Sequence, residues 1–582
     1  MRILLLAHSF NSLTQRLWIE LAAWGHDVSL ELDVNDVVTL DAVRRFAPDL
    51  VIAPFLKRAI PESVWSRVRC LVVHPGIVGD RGPSALDWAV QEGESRWGVT
   101  VLQANAEMDA GAIWANAEFD MRATSKGSLY RNEVTEAAVS ALREALACID
   151  RGGAPTSLES ISAPRGRIRP LMRQADRVID WQHDPTELVL RKLHAADGVP
   201  GVADECLGLK VHCYDAHPEG TLRGPPGAVI GQRHGAICRA TADGAVWITH
   251  FKASDDTARP FKLPAAMVLG ERLDGVPEVD VALDASPASS WSDIRYQEFG
   301  PVGVLHFSFY NGAMSTAQSE RLLAAYRQAC RRPTRVIVLA GGTDFWSNGI
   351  HLNVIEASEQ PADESWRNIN AIDDLALEIL TTQTHLTIAA LQGNAGAGGV
   401  FLALAADRVV ARSGIVLNPH YKGMGNLYGS EYWTYLLPRR LGVDGAQSII
   451  EGRLPLGAEA ATSLGLIDAH WGASPAEFLE RTLGESQAVA TGDFAARLSA
   501  KNACRDREEA TKPLAAYREA ELERMRLNFY GFDSSYHVAR YNFVRKVPKA
   551  RTPLYLARHR SRGAGETAPR TESSGLFLTG LR

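Results

Sequence analysis

The 582-residue sequence predicts a multidomain α/β protein: a Rossmann-like α/β unit, a small OB-like β-barrel and a second α/β unit. Three observations carry that prediction. Apolar runs and amphipathic stretches alternate as βαβαβ from Arg2 to Pro54. Short alternating strands broken by Gly, Pro or Asp follow from Leu209 to His250. Beyond Thr334, two strongly apolar strands each run into a glycine-rich turn. The chain is too long for one core, and the expected divisions are 1–165, 166–275, a linker 276–292, 293–545, and a C-terminal extension 546–582, flexible in part from about residue 558.

Composition narrows the function classes. A formal charge of -6 argues against a general nucleic-acid binder, which needs a basic face. No apolar run reaches a membrane span, and His8, Ser9 and Asn11 interrupt the N-terminal run too early for a signal peptide. The seven cysteines are scattered, without zinc or redox spacing, as expected of reduced, cytoplasmic thiols. No metal site is expected.

In the first unit, Arg2 to Ala7, His26 to Leu32 and Leu50 to Pro54 read as strands, with helices at Leu13 to Trp24 and Asp41 to Phe46. No G-x-G-x-x-G follows the first strand, so this is not a dinucleotide fingerprint. A further apolar run, Leu71 to Val73, ends in His74 and the loop Pro75 to Ser84; a histidine there sits where open α/β sheets place chemistry. Gly98 to Gln103 is another strand, and Glu107 to Ile113 a turn carrying Asp109.

The order strand, Ile60-Pro61, strand, Val72-Val73-His74, Arg81-Gly82, Gly98-Val99-Thr100-Val101, Asp109-Ala110-Gly111 resembles the formyltransferases that use 10-formyltetrahydrofolate. The resemblance implies that His74 and Asp109 are catalytic, the histidine exchanging a proton with the reacting group and the aspartate holding it or a relaying water. An asparagine of that family would donate to the oxyanion; here Val72 occupies its place. One lost donor costs roughly a hundredfold to a thousandfold in rate, so the departure implies either lost activity or a stronger nucleophile than an amine, such as a thiolate.

In the second unit, Ile179-Asp180-Trp181, the helix Pro185 to Ala196 and Pro200-Gly201 resemble the C-terminal module of methionyl-tRNA formyltransferases. The acidic chain gives no support to tRNA binding.

In the third unit, strands are expected at Val302 to Phe307, Thr334 to Gly341 and Thr387 to Leu391, helices at Ser315 to Cys330 and Val400 to Ala405, and a charged helix at Asn502 to Arg526. The segments Phe345 to Leu352 and Gln392 to Gly399, with Glu451-Gly452-Arg453 and Leu464-Gly465-Leu466-Ile467, resemble the crotonase (enoyl-CoA hydratase/isomerase) superfamily. The resemblance implies an oxyanion hole for a CoA thioester made by the amides of Ile350 and Gly398, the latter at a helix N-terminus. Phe401 and His420 stand where the hydratase glutamates would be, so water addition is not expected. Tyr421 and Glu431 become the candidate acid/base pair, with His420 third; a carboxylate favoured at a helix start would also account for Glu431. The aromatic and basic stretch Phe529 to Arg551 is a candidate for the CoA phosphates. The expected cofactor-binding residues are Gln15, Ile60, Val72, Arg81, Arg131, Gly349 and Arg545.

The two halves on one chain, with the Val72 departure and the rebuilt Tyr421/Glu431 loop, resemble the HypX/HoxX hydrogenase maturation proteins. The resemblance implies formyl transfer from 10-formyltetrahydrofolate to coenzyme A and decarbonylation of formyl-CoA, supplying carbon monoxide to maturation proteins of nickel-iron hydrogenase. A scaffold that binds folate and CoA without turnover, and an amine formyltransferase joined to a separate acyl-CoA enzyme, stay open as other readings.

Overall fold

The computed structural model describes residues 1–561 apart from 163, 287 and 288. Its first sheet has the order β2-β1-β3-β4-β5-β6, from β1 (Arg2–Ala7), β2 (Asp27–Leu32), β3 (Leu50–Phe55), β4 (Cys70–His74), β5 (Arg96–Gln103) and β6 (Ile113–Asp120). The first four are parallel and the last two antiparallel. Near-continuous apolar strands such as Ile3 to Ala7 are buried on both faces, as a helix-covered parallel sheet requires. The helix Ser12–Ala23 follows β1 at once, its start fixed by the Asn11 side chain accepting from the Thr14 amide. The second helix, expected from Asp41, begins at Asp36 behind an Asn35 cap.

The second sheet is antiparallel, in the order β7-β8-β11-β10-β9 with β12 on β11, from β7 (Val202–Cys206), β8 (Leu209–Glu219), β9 (Val229–Arg233), β10 (Ala236–Ala240), β11 (Ala245–Ala253) and β12 (Leu263–Pro264). Among the described residues β7 and β9 do not pair with each other, so the expected barrel is open. The stretch 276–292, expected as a linker, is tied to β9: Gln232 N–H donates to the Pro277 carbonyl at 2.9 Å and Arg233 reaches Ser290 at 2.8 Å.

The third unit builds two sheets at once. β13 (Ile294–Phe299), β14 (Val302–Phe307), β15 (Val336–Ala340), β17 (Leu386–Leu391), β19 (Arg408–Arg412) and β22 (Ala469–Trp471) form the larger one in that order. β16 (Phe345–Ser347), β18 (Asn394–Gly396), β20 (Val416–Asn418) and β21 (Leu456–Gly457) form the smaller. Each turn thus runs from a large-sheet strand through a glycine-containing bend to a small-sheet strand, and the loops that carry Ile350 and Gly398 follow two of those small-sheet strands.

The single charged helix expected from Asn502 to Arg526 is two, Phe494–Thr511 and Leu514–Tyr530. Pro513 separates them, since it has no N–H to continue the first. At the C-terminal side, Thr552, Leu556 and His559 cover β2: Leu30 N–H donates to the Leu556 carbonyl, and His559 lies between Ser29 and Glu31 at 2.8 Å from each. Residues 558–561 are therefore a docked helical turn, and the remainder of the expected flexible extension lies outside the described residues.

The units are locked together by polar contacts. Asp344, in the bend before β16, accepts from Ser128, Arg131 and Asn132 of the first unit at 2.7–3.0 Å. Arg16 pairs with Glu20 and Glu136 and also reaches the Gly414 carbonyl. Tyr310 of the third unit donates to Asp197 and receives from Lys262 of the second, each at 2.8 Å.

Candidate active site

At the C-terminal end of β4, His74 is 4% exposed and lies between two carboxylates. Its Nε2 is 3.3 Å from Asp80 and its Nδ1 is 3.6 Å from Asp109. Gly76 makes room for the ring: a Cβ there would fall 2.3 Å from His74 Nε2. Asp80 is in turn approached by Arg169 Nε at 3.2 Å, from the segment that follows the first unit. Asp109 sits at a left-handed φ of 55° and accepts from the Gly82 amide at 3.4 Å. The imidazole thus hydrogen-bonds Asp80 and faces the Asp109 carboxylate, an arrangement suited to proton exchange with a group at the cavity wall.

In the third unit, Gly349 takes a φ of 76° and its amide donates to Ser347 Oγ at 3.0 Å. This turn leaves the Ile350 amide, and the bend at Ala397 leaves that of Gly398, without an acceptor among the described residues. The two loops touch: a Cβ on Gly349 would lie 3.3 Å from Gly398 N. Paired free amides of this kind are what an oxyanion requires.

Glu431 lies against the Gly398 side of this pair. A Cβ on Gly398 would fall 2.1 Å from Glu431 Oε1, so only glycine leaves space for the carboxyl. Tyr421 Oη donates to Glu431 Oε2 at 2.5 Å and is 2.9 Å from the Ser430 carbonyl. Burial, then the nearby Asp373 charge, raises Glu431 well above the usual carboxylate range, and burial beside Glu431 raises the Tyr421 phenol. Phe401, expected to stand where a hydratase glutamate would be, stacks on the Tyr421 ring at 5.1 Å and 18°. His420 lines the same wall but is pushed down to about 4, chiefly by burial, and its Nδ1 has no hydrogen-bond partner.

Both constellations line one cavity of about 1720 Å³. The structure brings His74, Asp109, Ile350, Gly398, Tyr421 and Glu431 to its wall, together with Gln15, Ile60, Val72, Arg131, Gly349 and Arg545. Arg81 is not on that wall; it turns to Glu107 at 2.9 Å. Arg131 spends one guanidinium nitrogen on Asp344 and another on Asn311, over the Phe345 ring. Gln15 accepts from Asn418, linking the first unit to the loop ahead of Tyr421. Arg545 donates to the Ala258 carbonyl and lies 3.5 Å from Glu356. Of the aromatic stretch, Phe543, Lys546 and Lys549 reach the cavity, whereas Tyr536 is buried against Ser365. Sequence reasoning missed Asp80, although it lies six residues after His74 in the same loop, and it missed Asp373 entirely.

The formyl transferase model matches residues 33–146, the formyl transferase C-terminal domain model 171–260, and the enoyl-CoA hydratase/isomerase model 308–546. Over 566 residues the chain is 57% identical to the hydrogenase maturation factor HoxX of Bradyrhizobium diazoefficiens, covering 97% of this chain and 98% of that one. The chain belongs to the HoxX/HypX family of hydrogenase maturation factors. A HypX structure from Aquifex aeolicus in complex with tetrahydrofolic acid matches with a TM-score of 0.93 at 49% identity, covering 98% of this chain and all of that one. The methionyl-tRNA formyltransferase of Thermotoga maritima is 25% identical over 223 residues, 38% of this chain and 70% of its own. Within the HoxX/HypX family frame, the units are a formyl transferase domain, its C-terminal domain and a crotonase-type domain. No helix among the described residues is long and apolar enough to cross a membrane.

Proposed function

We propose that the chain makes carbon monoxide for nickel-iron hydrogenase assembly, by moving a formyl group from 10-formyltetrahydrofolate to coenzyme A and decarbonylating the formyl-CoA. The observation that carries this reading is the single cavity onto which both His74 with Asp109 and Glu431 with Tyr421 open. The Aquifex relative's complex with tetrahydrofolic acid supports a folate ligand, and the crotonase-type domain supports a CoA thioester.

At the first site, the CoA thiolate adds to the formyl carbon, the N–C bond breaks, and His74 returns a proton to the folate nitrogen while Asp80 and Asp109 hold the ring. A thiolate tolerates Val72, which offers the oxyanion no donor. Gln15, Ile60, Arg131 and Arg545 contact the two ligands along the wall. At the second site, the Ile350 and Gly398 amides hold the carbonyl oxygen. Glu431, whose carboxyl lies against Gly398, takes the formyl proton as the C–S bond breaks, and the proton passes to the departing thiolate. The sum is formyltetrahydrofolate to tetrahydrofolate and carbon monoxide, with CoA regenerated. The carbon monoxide passes to other maturation proteins in the cytoplasm, where the seven free cysteines stay reduced.

Incubation with formyl-labelled 10-formyltetrahydrofolate and CoA should release labelled carbon monoxide. Binding of both ligands without release would establish a scaffold instead, and labelled formate a deformylase. His74→Ala should lower transfer by roughly a hundredfold or more while leaving carbon monoxide release from supplied formyl-CoA intact; loss of both steps would sink the two-site model.

A further inference from the structure

Glu431 and Tyr432 are consecutive non-glycine residues at a left-handed φ of 59° each, a conformation that persists only where the surroundings over-determine it. What holds them is a pair of fully buried carboxylates behind the cavity wall. Asp373, on the helix Pro361–Leu380, accepts from the Ser430 hydroxyl at 2.6 and 2.7 Å and from the Glu431 amide at 2.8 Å. Glu521, on the helix Leu514–Tyr530, accepts from the amides of Tyr432 at 2.9 Å and Thr434 at 2.8 Å and from the Thr434 hydroxyl. Neither side chain lines the cavity.

We propose that Asp373 and Glu521 are positioning residues for Glu431: they grip its strained turn from two helices and, through Asp373, tie the acid–base behaviour of Glu431 to that grip. This rests on the decarbonylation reading above and names how its acid/base group is set. Three carboxyls, Glu431, Asp373 and Glu521, are buried together with the Tyr421 and Tyr432 phenols. The cation facing them is Arg518, whose Nε lies 3.8 Å from Asp373 while its Nη1 is occupied by Asp374 at 2.6 Å. Like charges buried together resist joint ionisation, so an ionised Asp373 makes Glu431 the stronger base. A base tuned toward neutrality is the one best suited to accept the formyl proton and release it again.

The test uses two substitutions of opposite sign in the full chain. Asp373→Asn keeps an oxygen for the Glu431 amide but removes the charge, and should move the midpoint of Glu431 to lower pH by about one unit or more. Arg518→Gln removes the opposing cation and should move it to higher pH. The midpoint is read twice: as the ascending limb of carbon monoxide release from formyl-CoA against pH, and as an infrared titration of the protonated-carboxyl band that disappears in Glu431→Gln. The infrared reading needs no turnover, so a failure of the decarbonylation reading leaves the positioning claim testable. Coincident midpoints in the parent and both variants, or reduced activity with an unmoved midpoint, would overturn the proposal.

Discussion

Gly398 illustrates how much one missing side chain can do. Its amide is free for a carbonyl oxygen, and the space its Cβ would fill holds the Glu431 carboxyl. Gly398→Ala should therefore displace Glu431 and obstruct the oxyanion seat together, lowering carbon monoxide release from formyl-CoA by roughly a hundredfold or more; a variant with parent-like turnover would show that Glu431 works from elsewhere. Phe401 shows the complementary case. A glutamate there would meet the Tyr421 ring face that phenylalanine now packs against, so Phe401 braces the phenol hydrogen-bonded to Glu431. At this scale the glycine segments were readable in sequence as local motifs, and Tyr421 and Glu431 became candidates through the resemblance those motifs carry. Asp80 lay in a stretch already singled out, but nothing in its neighbours reveals that Arg169 would turn it toward His74.

Among the elements, the loop from Asn418 to Tyr432 depends on helices far away in the chain. Asp373 is 58 residues from Glu431 and Glu521 is 89 from Tyr432, which is why no motif announces them. Burial pushes Glu521 up to about 8. Glu521 therefore contributes stability that is fullest below about 4.5 and is lost as pH rises toward 8. Glu521→Gln should flatten that fall, by on the order of 1 kcal/mol per pH unit at most, measured as denaturation midpoints between those limits; an unchanged slope would place the proton elsewhere. Strand positions in the first unit followed from apolar runs buried on both faces. The split at Pro513 and the open second sheet did not, because charged periodicity continues across the proline and barrel closure depends on pairing between distant strands.

For the whole molecule, the decisive arrangement is that the formyl transferase and crotonase-type units face one another across one cavity, held by Asp344, Arg16 and the Tyr310 network. On the proposed route, a thioester made at one wall and consumed at the other need not enter bulk solvent. Unlabelled formyl-CoA added during turnover of labelled 10-formyltetrahydrofolate should accordingly leave the label in the carbon monoxide nearly undiluted; full dilution would mean that the intermediate leaves and returns. The docked turn near His559 has a consequence of another kind. β2 is one of the two outer strands of the first sheet, and unpaired strand edges template aggregation. The groups that cover it lie 521 residues later, so at ordinary translation speeds the edge stays bare for roughly half a minute to two minutes on the ribosome. The first unit must pass its synthesis with an open flank, and ribosomes stalled before Thr552 would leave that flank uncovered for good.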